Sequence, residues 1–318
     1  MELSQIKALG ERIKGNITKV IVGKDDIIDL MLISLFCQGH ILLEDVPGVG
    51  KTMLAKCLAK SINCDFKRIQ FTPDLLPTDL TGLNYFNQKQ GEFVFRPGPV
   101  FSNIVLADEI NRATPRTQSS LLECMEERQV TIDGETKELQ GPFLVIATQN
   151  PVETQGTFPL PEAQLDRFFM KLKMGYPLPA EGKEILDRFQ TGSPLPSVQV
   201  VAEAAEILEA QAECLSVGIN DAVKDYIIQI IEATRKNDRI SLGVSPRGSI
   251  ALMKAAQVRA VFMDRNFVTP DDVKYVAVHV LSHRILIKGQ AIFREGKRPS
   301  ELVIEEILNS VKAPLEDF

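Results

Sequence analysis

The stretch LLEDVPGVGKT, residues 42–52, decides the fold of the first half of this 318-residue chain. It departs at one position from G-x-x-x-x-G-K-[ST], the pattern of loops that bind phosphate groups, because Asp45 stands where that pattern begins with glycine. The strand-like run HILLE (40–44) precedes the loop, and the helical run MLAKCLAKSI follows it. This strand–loop–helix order is the context in which such a loop holds the phosphates of a nucleotide.

Four residues of the loop have side chains or backbones suited to phosphate chemistry. Gly48 and Gly50 would let backbone N–H groups close around a phosphate, helped by the N-terminus of the following helix. Lys51 would reach the β- and γ-phosphates, and the Thr52 hydroxyl would hold Mg²⁺. The sequence therefore predicts an ATP site with a bound magnesium ion.

Asp45 is the one residue that argues against this prediction. A carboxylate about 6 Å from the phosphates would cost about 3 kcal/mol at an effective dielectric of 20. We therefore expect Asp45 to point away from them and to hydrogen-bond the loop backbone, as aspartate commonly does in turns. On that expectation the loop still binds phosphate.

Two further apolar runs end in polar residues of the kind that a triphosphatase needs. NIVLADE (103–109) ends in Asp108 and Glu109, where Asp108 would organise Mg²⁺ and Glu109 would polarise the attacking water. FLVIATQ (143–149) is followed directly by the amide of Asn150. These strand ends supply the acidic and polar groups that the phosphate loop lacks.

Composition and charge narrow the class of protein. The net charge of −6 disfavours a surface devoted to nucleic-acid backbone. The five cysteines show no C-x-x-C spacing, which favours unpaired thiols in a reducing cytoplasm. The longest apolar run, around IIDLMLISLF, contains Asp29 and is far shorter than the roughly 20 residues that cross a membrane, so no membrane insertion is expected.

The pattern of elements predicts two domains. Residues 1–185 alternate helical and strand patterns, which indicates an α/β domain with a central, mainly parallel five-stranded sheet. Residues 186–318 are expected to form a linker and an all-helical lid domain. Within the first domain an insert at about 75–100 contains a hairpin, and a second hairpin at 129–140 turns at an Asp-Gly pair. The five predicted strands are HILLE (40–44), FKRIQF (66–71), NIVLADE (103–109), FLVIATQ (143–149) and FFMKLKM (168–174).

The order of the motifs resembles that of the MoxR family of AAA+ ATPases. The motifs that carry the resemblance are EDVPGVGKT, LADEIN, ATQNP, QLDRF and SPRGS, and it extends from about Ile17 to Lys312. It implies an AAA+ P-loop domain followed by a helical lid. It also identifies residues 75–100 with the family's helix-2 insert and residues 129–140 with the hairpin that precedes the motif called sensor 1.

The resemblance assigns roles residue by residue. Asn150 matches sensor 1, which orients the attacking water, and Asp108 and Glu109 match Walker B. Arg167 in QLDRF matches the arginine finger that is donated to a neighbouring subunit, although Arg112 and Arg116 are rivals for that role. Arg247 in SPRGS matches sensor 2, acting either in its own site or in a neighbour's. The residues implied to bind the nucleotide are Val22, Gly23, Pro47, Gly48, Val49, Gly50, Lys51, Thr52, Met53 and Asp108, with Thr52 and Asp108 at the metal.

The resemblance also implies what the protein works on. Family members hydrolyse ATP in rings, expected here to be hexamers, and perform chaperone-like maturation or metal-cofactor insertion on client proteins. A partner with a von Willebrand factor A domain often accompanies them. Two alternatives stay open at this point: a nucleic-acid motor of the AAA+ class, and a nucleotide-gated scaffold with low turnover.

Overall fold

The computed structural model describes residues 1–150, 156–289 and 298–314. Pro151, the last residue of the ATQNP motif, lies outside these ranges. The strands are β1 (Ile41–Glu44), β2 (Phe66–Gln70), β3 (Gly82–Asn87), β4 (Glu92–Pro97), β5 (Ile104–Asp108), β6 (Gln129–Ile132), β7 (Glu135–Glu138), β8 (Leu144–Gln149), β9 (Met170–Leu172), β10 (Ile240–Leu242) and β11 (Leu286–Ile287).

The helices alternate with strands in the first half of the chain and dominate the second half. They are α1 (Leu3–Ile17), α2 (Asp25–Phe36), α3 (Lys51–Ser61), α4 (Pro77–Thr81), α5 (Pro115–Glu127), α6 (Glu162–Leu165), α7 (Pro179–Phe189), α8 (Ala204–Cys214), α9 (Asp221–Lys236), α10 (Pro246–Phe262), α11 (Pro270–Leu281) and α12 (Pro299–Ser310).

The central sheet has five strands in the order β2-β5-β8-β1-β9, and all of its pairs are parallel. The five strands predicted from the sequence are confirmed as its members. Parallel strands end at the same edge of a sheet, so Glu44 pairs with Gln149 and Gln70 pairs with Asp108 at the carboxyl edge. The phosphate loop, Asp108 and Asn150 therefore all leave the sheet on one side, the position where open α/β sheets bind ligands.

Both faces of the sheet are buried along β1, β5 and β8, which explains why these three strands are apolar almost without alternation. Ile104 and Leu106 face a core shared with α1, α2, α3 and the second domain. Val105 and Ala107 face the opposite core, which α5 covers.

The second domain is helical, as expected, with one addition. Helices α8 to α12 pack together, and α10 also packs against α1 and α2, so the domain shares the core on that face of the sheet. A short antiparallel ribbon joins β10 to β11, which the sequence did not predict because each strand has only two or three residues. The expected domain boundary at residue 185 falls inside α7.

Both predicted hairpins are present. Strands β3 and β4 form the hairpin of the insert, and β6 and β7 form the second one. Asp133 and Gly134 have positive φ angles of 51° and 86°, which is the conformation that an Asp-Gly hairpin turn requires. Over the described ranges, no helix has both the length and the apolar character needed to cross a lipid bilayer.

Candidate active site

The loop between β1 and α3 has the backbone that its glycines make possible. Gly48 and Gly50 have φ angles of +83° and +96°, a region that favours glycine over residues with a side chain. Gly50 precedes the first residue of α3, Lys51, so the unpaired N–H groups of that helix face the loop. The Lys51 Nζ donates to the backbone oxygen of Asp45 at 3.0 Å, which ties the lysine across the loop.

The side chain of Asp45 is turned into the protein. It is 4% exposed, and its carboxylate accepts hydrogen bonds from the backbone N–H of Val46 at 2.8 Å and of Gly175 at 2.6 Å. The expected bond to the loop backbone is therefore present. The bond to Gly175, which follows β9, was not predicted and joins the loop to a distant part of the chain. Asp45 thus replaces the first glycine without presenting its charge to the loop's open side.

Replacing Asp45 by glycine should leave the ATP affinity within a few-fold of the starting value, because the carboxylate is bonded away from the loop interior. The same change should lower the free energy of unfolding by about 1–3 kcal/mol, since the N–H of Gly175 loses its acceptor. Asp45→Asn keeps one oxygen acceptor and should lose less. Calorimetric titration with ATP and thermal unfolding measure the two effects. An affinity gain beyond tenfold, about 1.4 kcal/mol, would instead show that Asp45 repels the phosphates.

Asp108 and Glu109 are held at the end of β5 by Thr148 of β8. The Thr148 hydroxyl donates to Asp108 Oδ1 at 2.6 Å and accepts the backbone N–H of Glu109 at 2.9 Å. Glu109 has a φ of +57°, which is strained for a residue other than glycine and turns its side chain out of the sheet. Strain of this kind collects at functional sites, and here the bond to Thr148 stabilises it.

Three further side chains, two of them cationic, contact the two carboxylates. Arg68 of β2 donates to Asp108 Oδ2 through Nη2 at 2.6 Å and Nε at 3.0 Å. Gln70, two residues along the same strand, donates to Glu109 Oε2 at 2.7 Å, and Arg112 Nε lies 3.1 Å from the same oxygen. Arg112, the rival candidate for the finger, thus pairs with the Glu109 of its own chain.

A cavity of about 430 Å³ unites the loop with the ends of β2, β5 and β8. Most of the predicted nucleotide residues line it. It is also lined by four residues that were not predicted from the sequence: Lys56, Arg68, Gln70 and Thr148. The alternation within FKRIQF, which places Arg68 and Gln70 on one face of a strand, was the available signal for two of them. The lining residues are Pro47, Gly48, Gly50, Lys51, Thr52, Met53, Lys56, Arg68, Gln70, Asp108, Glu109, Thr148 and Asn150.

Three predicted nucleotide residues do not line this cavity. Val49 packs against the core, and Val22 is buried. Gly23 lies under α7, where an added Cβ would be 2.0 Å from Glu181 Oε1. The contact of Val22 and Gly23 with an adenine therefore stays a prediction.

The two predicted arginines of QLDRF and SPRGS also lie outside the lining of this cavity. The structure instead brings them to each other. Glu126, at the end of α5, forms ion pairs with both: its carboxylate lies 3.0 Å from Arg167 Nε and also contacts the Nη2 of Arg247. Arg167 and Arg247 are thus neighbours on a surface built by both domains.

The donors in the cavity suit a nucleoside triphosphate with its metal ion. The Thr52 hydroxyl and the Asp108 carboxylate are hard oxygen ligands of the type that Mg²⁺ prefers, and Lys51 with the N-terminus of α3 supplies positive charge for phosphates. Glu109 and Asn150 add a carboxylate and an amide to the lining of the same cavity. A parallel sheet with this loop, these strand ends and a helical second domain defines a P-loop ATPase of the AAA+ class.

Comparison with known proteins agrees with this class and narrows it. Residues 40–170 match the family model described as "ATPase family associated with various cellular activities (AAA)", and residues 232–307 match the AAA lid domain. The chain is 40% identical to Chaperone MoxR1 of Mycobacterium tuberculosis, with 96% of this chain and 82% of that protein covered. It is 52% identical to the uncharacterized protein YeaC of Bacillus subtilis, with 97% and 95% covered.

A solved structure is similar over nearly the whole chain. The crystal structure of a candidate ATPase from Cytophaga hutchinsonii matches with a TM-score of 0.89 and 41% identity, covering 99% of this chain and 98% of the other. The chain belongs to the MoxR family of AAA+ ATPases, and its activity is ATP hydrolysis.

Proposed function

We propose that this ATPase works as a ring, expected to be a hexamer, and uses ATP hydrolysis to remodel or mature protein clients. The observation that carries the proposal is the single cavity that collects the loop, the acidic end of β5 and Asn150. Hydrolysis needs all three, because the phosphates, the metal ion and the attacking water must be held in one geometry.

Within that cavity each side chain has a task. Lys51 and the N–H groups of the loop would bind the β- and γ-phosphates, while Thr52 and Asp108 would hold Mg²⁺. A bound Mg²⁺ would neutralise charge on the terminal phosphates. Glu109 takes the proton of the attacking water, and Asn150 orients that water by its amide. Thr148 of β8 bonds to Asp108 and Glu109 and so holds the ends of β5 and β8 together.

The positions of Arg167 and Arg247 support the proposal that this ATPase works as a ring. Arg167 and Arg247 are absent from the lining of the chain's own cavity, and both contact Glu126. Two guanidinium groups on one surface suit the phosphates of a neighbouring subunit, because arginine is permanently charged and binds phosphate by a planar fork. We therefore assign both Arg167 and Arg247 to the neighbour's site, and we disfavour Arg112, which pairs with its own Glu109.

The exposed side chains on the hairpin of the insert favour a protein as the client. Phe86 and Phe93 are 53% and 73% exposed on it, with ring centroids 5.4 Å apart. An exposed aromatic pair suits contact with protein, whereas nucleic-acid backbone calls for clustered positive charge. In this hairpin the positive charges of Lys89 and Arg96 stand beside the negative charge of Glu92, so they do not form a cluster of positive charge. We propose that Phe86 and Phe93 touch the client.

Capture of a client by a hydrolysis-deficient ring tests this proposal. Glu109→Gln with ATP should retain client protein, and the added changes Phe86→Ser and Phe93→Ser should reduce capture by about tenfold, as expected for two aromatic anchors. Leu186→Ser and Ile228→Ser, which remove exposed apolar side chains on α7 and α9, are the matched control and should leave capture unchanged. Equal loss in both sets would contradict a role for the hairpin.

The two alternatives predict other outcomes. A nucleic-acid motor would show salt-dependent DNA binding and DNA-stimulated turnover, and a scaffold would show negligible turnover in the wild type. We further propose a partner with a von Willebrand factor A domain and a client matured by steps such as metal-cofactor insertion. A cytoplasmic site of action agrees with the five unpaired cysteines.

A further inference from the structure

Glu126 lies where the two domains meet and contacts an arginine from each. It belongs to the last turn of α5, whereas Arg167 precedes β9 and Arg247 lies in the first turn of α10. Each oxygen of its carboxylate pairs with one arginine: Oε2 lies 3.0 Å from Arg167 Nε in an ion pair, and Oε1 accepts from Arg247 Nη2. Neither the sequence motifs nor the family resemblance used above assigns this residue a task.

The atom through which Arg167 is held matters. A guanidinium group has five N–H donors, and a contact through Nε leaves the four donors of the two terminal nitrogens for another acceptor. Arg167 is also 32% exposed, so those terminal nitrogens are not enclosed within the chain. A carboxylate bound at Nε therefore fixes the direction of the side chain without consuming the donors that would meet a phosphate.

The backbone beneath the two arginines is already fixed by a second set of contacts. Asp166, adjacent to Arg167, accepts from the Ser245 hydroxyl at 3.0 Å and from Arg284 Nε at 2.9 Å. Ser245 is the N-cap of α10, two residues before Arg247. The Arg284 side chain is 2% exposed, and burial lowers its pKa to about 10, so it stays charged at neutral pH and keeps its bond to Asp166.

Since the backbones are fixed, the freedom that remains lies in the long side chains of Arg167 and Arg247. Each has several rotatable bonds, and the entropy of ordering such a side chain opposes binding. One carboxylate that pairs with both restrains them together. Catalytic groups gain rate when they are ordered in advance, and a displacement of 1 Å can cost about 100-fold in rate.

We propose that Glu126 is a positioning residue for the neighbouring subunit's reaction: it directs Arg167 through Nε and holds Arg247 beside it. This inference rests on the proposed action of Arg167 in a neighbour's site. Glu126 does not line the nucleotide cavity of its own chain, and its effect passes entirely through the two arginines.

Glu126→Ala should lower kcat by at least about fivefold, a part of the loss that misplacement of a catalytic group can cause. ATP affinity of the variant's own site and the ATP-dependent ring mass by light scattering should stay unchanged. Glu123→Ala is the matched control: it removes the same charge one turn earlier on α5, from the same small cavity of about 230 Å³ beside Arg167. The control should turn over as the wild type does, and Glu126→Asp should recover part of the loss.

Mixing experiments separate positioning from a general structural effect. A Glu126→Ala subunit keeps a sound ATP site, so a Lys51→Ala neighbour, which lacks that site but has well-placed arginines, should restore turnover to it. Mixing Glu126→Ala with Arg167→Ala should restore nothing, because no subunit then donates a well-placed finger. Adding Glu126→Ala to a variant that lacks both arginines, Arg167→Ala with Arg247→Ala, should slow turnover no further. If Glu126→Ala disturbs the ring, Glu126→Gln carries the same tests.

The outcomes distinguish this inference from the function on which it rests. If Arg167→Ala is not rescued by Lys51→Ala, the trans finger itself fails. If that rescue succeeds while Glu126→Ala turns over like Glu123→Ala, only the role of Glu126 is overturned. A rise in turnover for Glu126→Ala would also overturn it, since Glu126 would then restrain the arginines from acting.

Discussion

Replacing Glu109 by glutamine should lower kcat on the order of 10²- to 10⁴-fold, the usual worth of a general base, while ATP still binds. The amide cannot take a proton from water, whereas the loop, Thr52 and Asp108 are unchanged. Glu109 also keeps its backbone bond to Thr148 in this variant, so the strand end stays in place. Steady-state phosphate release and a binding titration with ATP measure the two quantities.

Lys51→Ala is the complementary control. It removes the only side-chain cation within loop 45–52, so it should weaken ATP binding itself rather than the chemical step alone. Both variants should therefore hydrolyse ATP slowly, but Glu109→Gln should bind ATP more tightly than Lys51→Ala does. Near wild-type hydrolysis by Glu109→Gln would show that another residue activates the water.

Arg167→Ala should lower turnover at least tenfold, since an arginine finger can be worth about 10³ to 10⁵ in rate. Its own site should still bind ATP, because Arg167 does not line that cavity. The ion pair to Glu126 is partly exposed, so its loss should change stability little. The rate and the affinity together distinguish a catalytic loss from unfolding.

Mixed rings give the decisive measurement. An Arg167→Ala subunit has an intact pocket, and a Lys51→Ala neighbour can lend it the missing arginine, so activity should return on mixing at a fraction of wild type. Arg112→Ala is the matched control, because Arg112 pairs with Glu109 of its own chain. Mixing it with Lys51→Ala should restore nothing. The opposite pattern, with rescue of Arg112→Ala alone, would transfer the finger's role to Arg112.

The sequence predicted the parts of the site that follow directly from strand ends. The phosphate loop, Asp108 and Asn150 each come immediately after an apolar run, and parallel strands place such residues at one edge. The direction of the Asp45 side chain could also be predicted from electrostatics alone. A carboxylate that is hydrogen-bonded away from the phosphates avoids the repulsion that it would suffer beside them.

The residues that were missed depend on which strands are neighbours. Arg68 and Gln70 reach Asp108 and Glu109 because β2 pairs with β5, and the linear order of the motifs does not state that pairing. Glu126 meets Arg247 across 121 residues of chain, through the docking of the second domain. The partners in these contacts follow from tertiary packing, because the alternation within FKRIQF places Arg68 and Gln70 on one face of a strand but does not say which carboxylates they meet.

The bond between Asp45 and the Gly175 N–H has a consequence for exchanging parts among P-loop enzymes. Gly175 lies on the segment that leaves β9 for α7 and the second domain. A chimaera that received a loop beginning with glycine would keep the groups that bind phosphate. The N–H of Gly175 would lose its acceptor, however, and the segment that leads from β9 to the second domain would no longer be bonded to the loop. In this protein the loop is therefore not an interchangeable unit: its later residues serve the nucleotide, and its first residue is bonded to the segment that leads to the second domain.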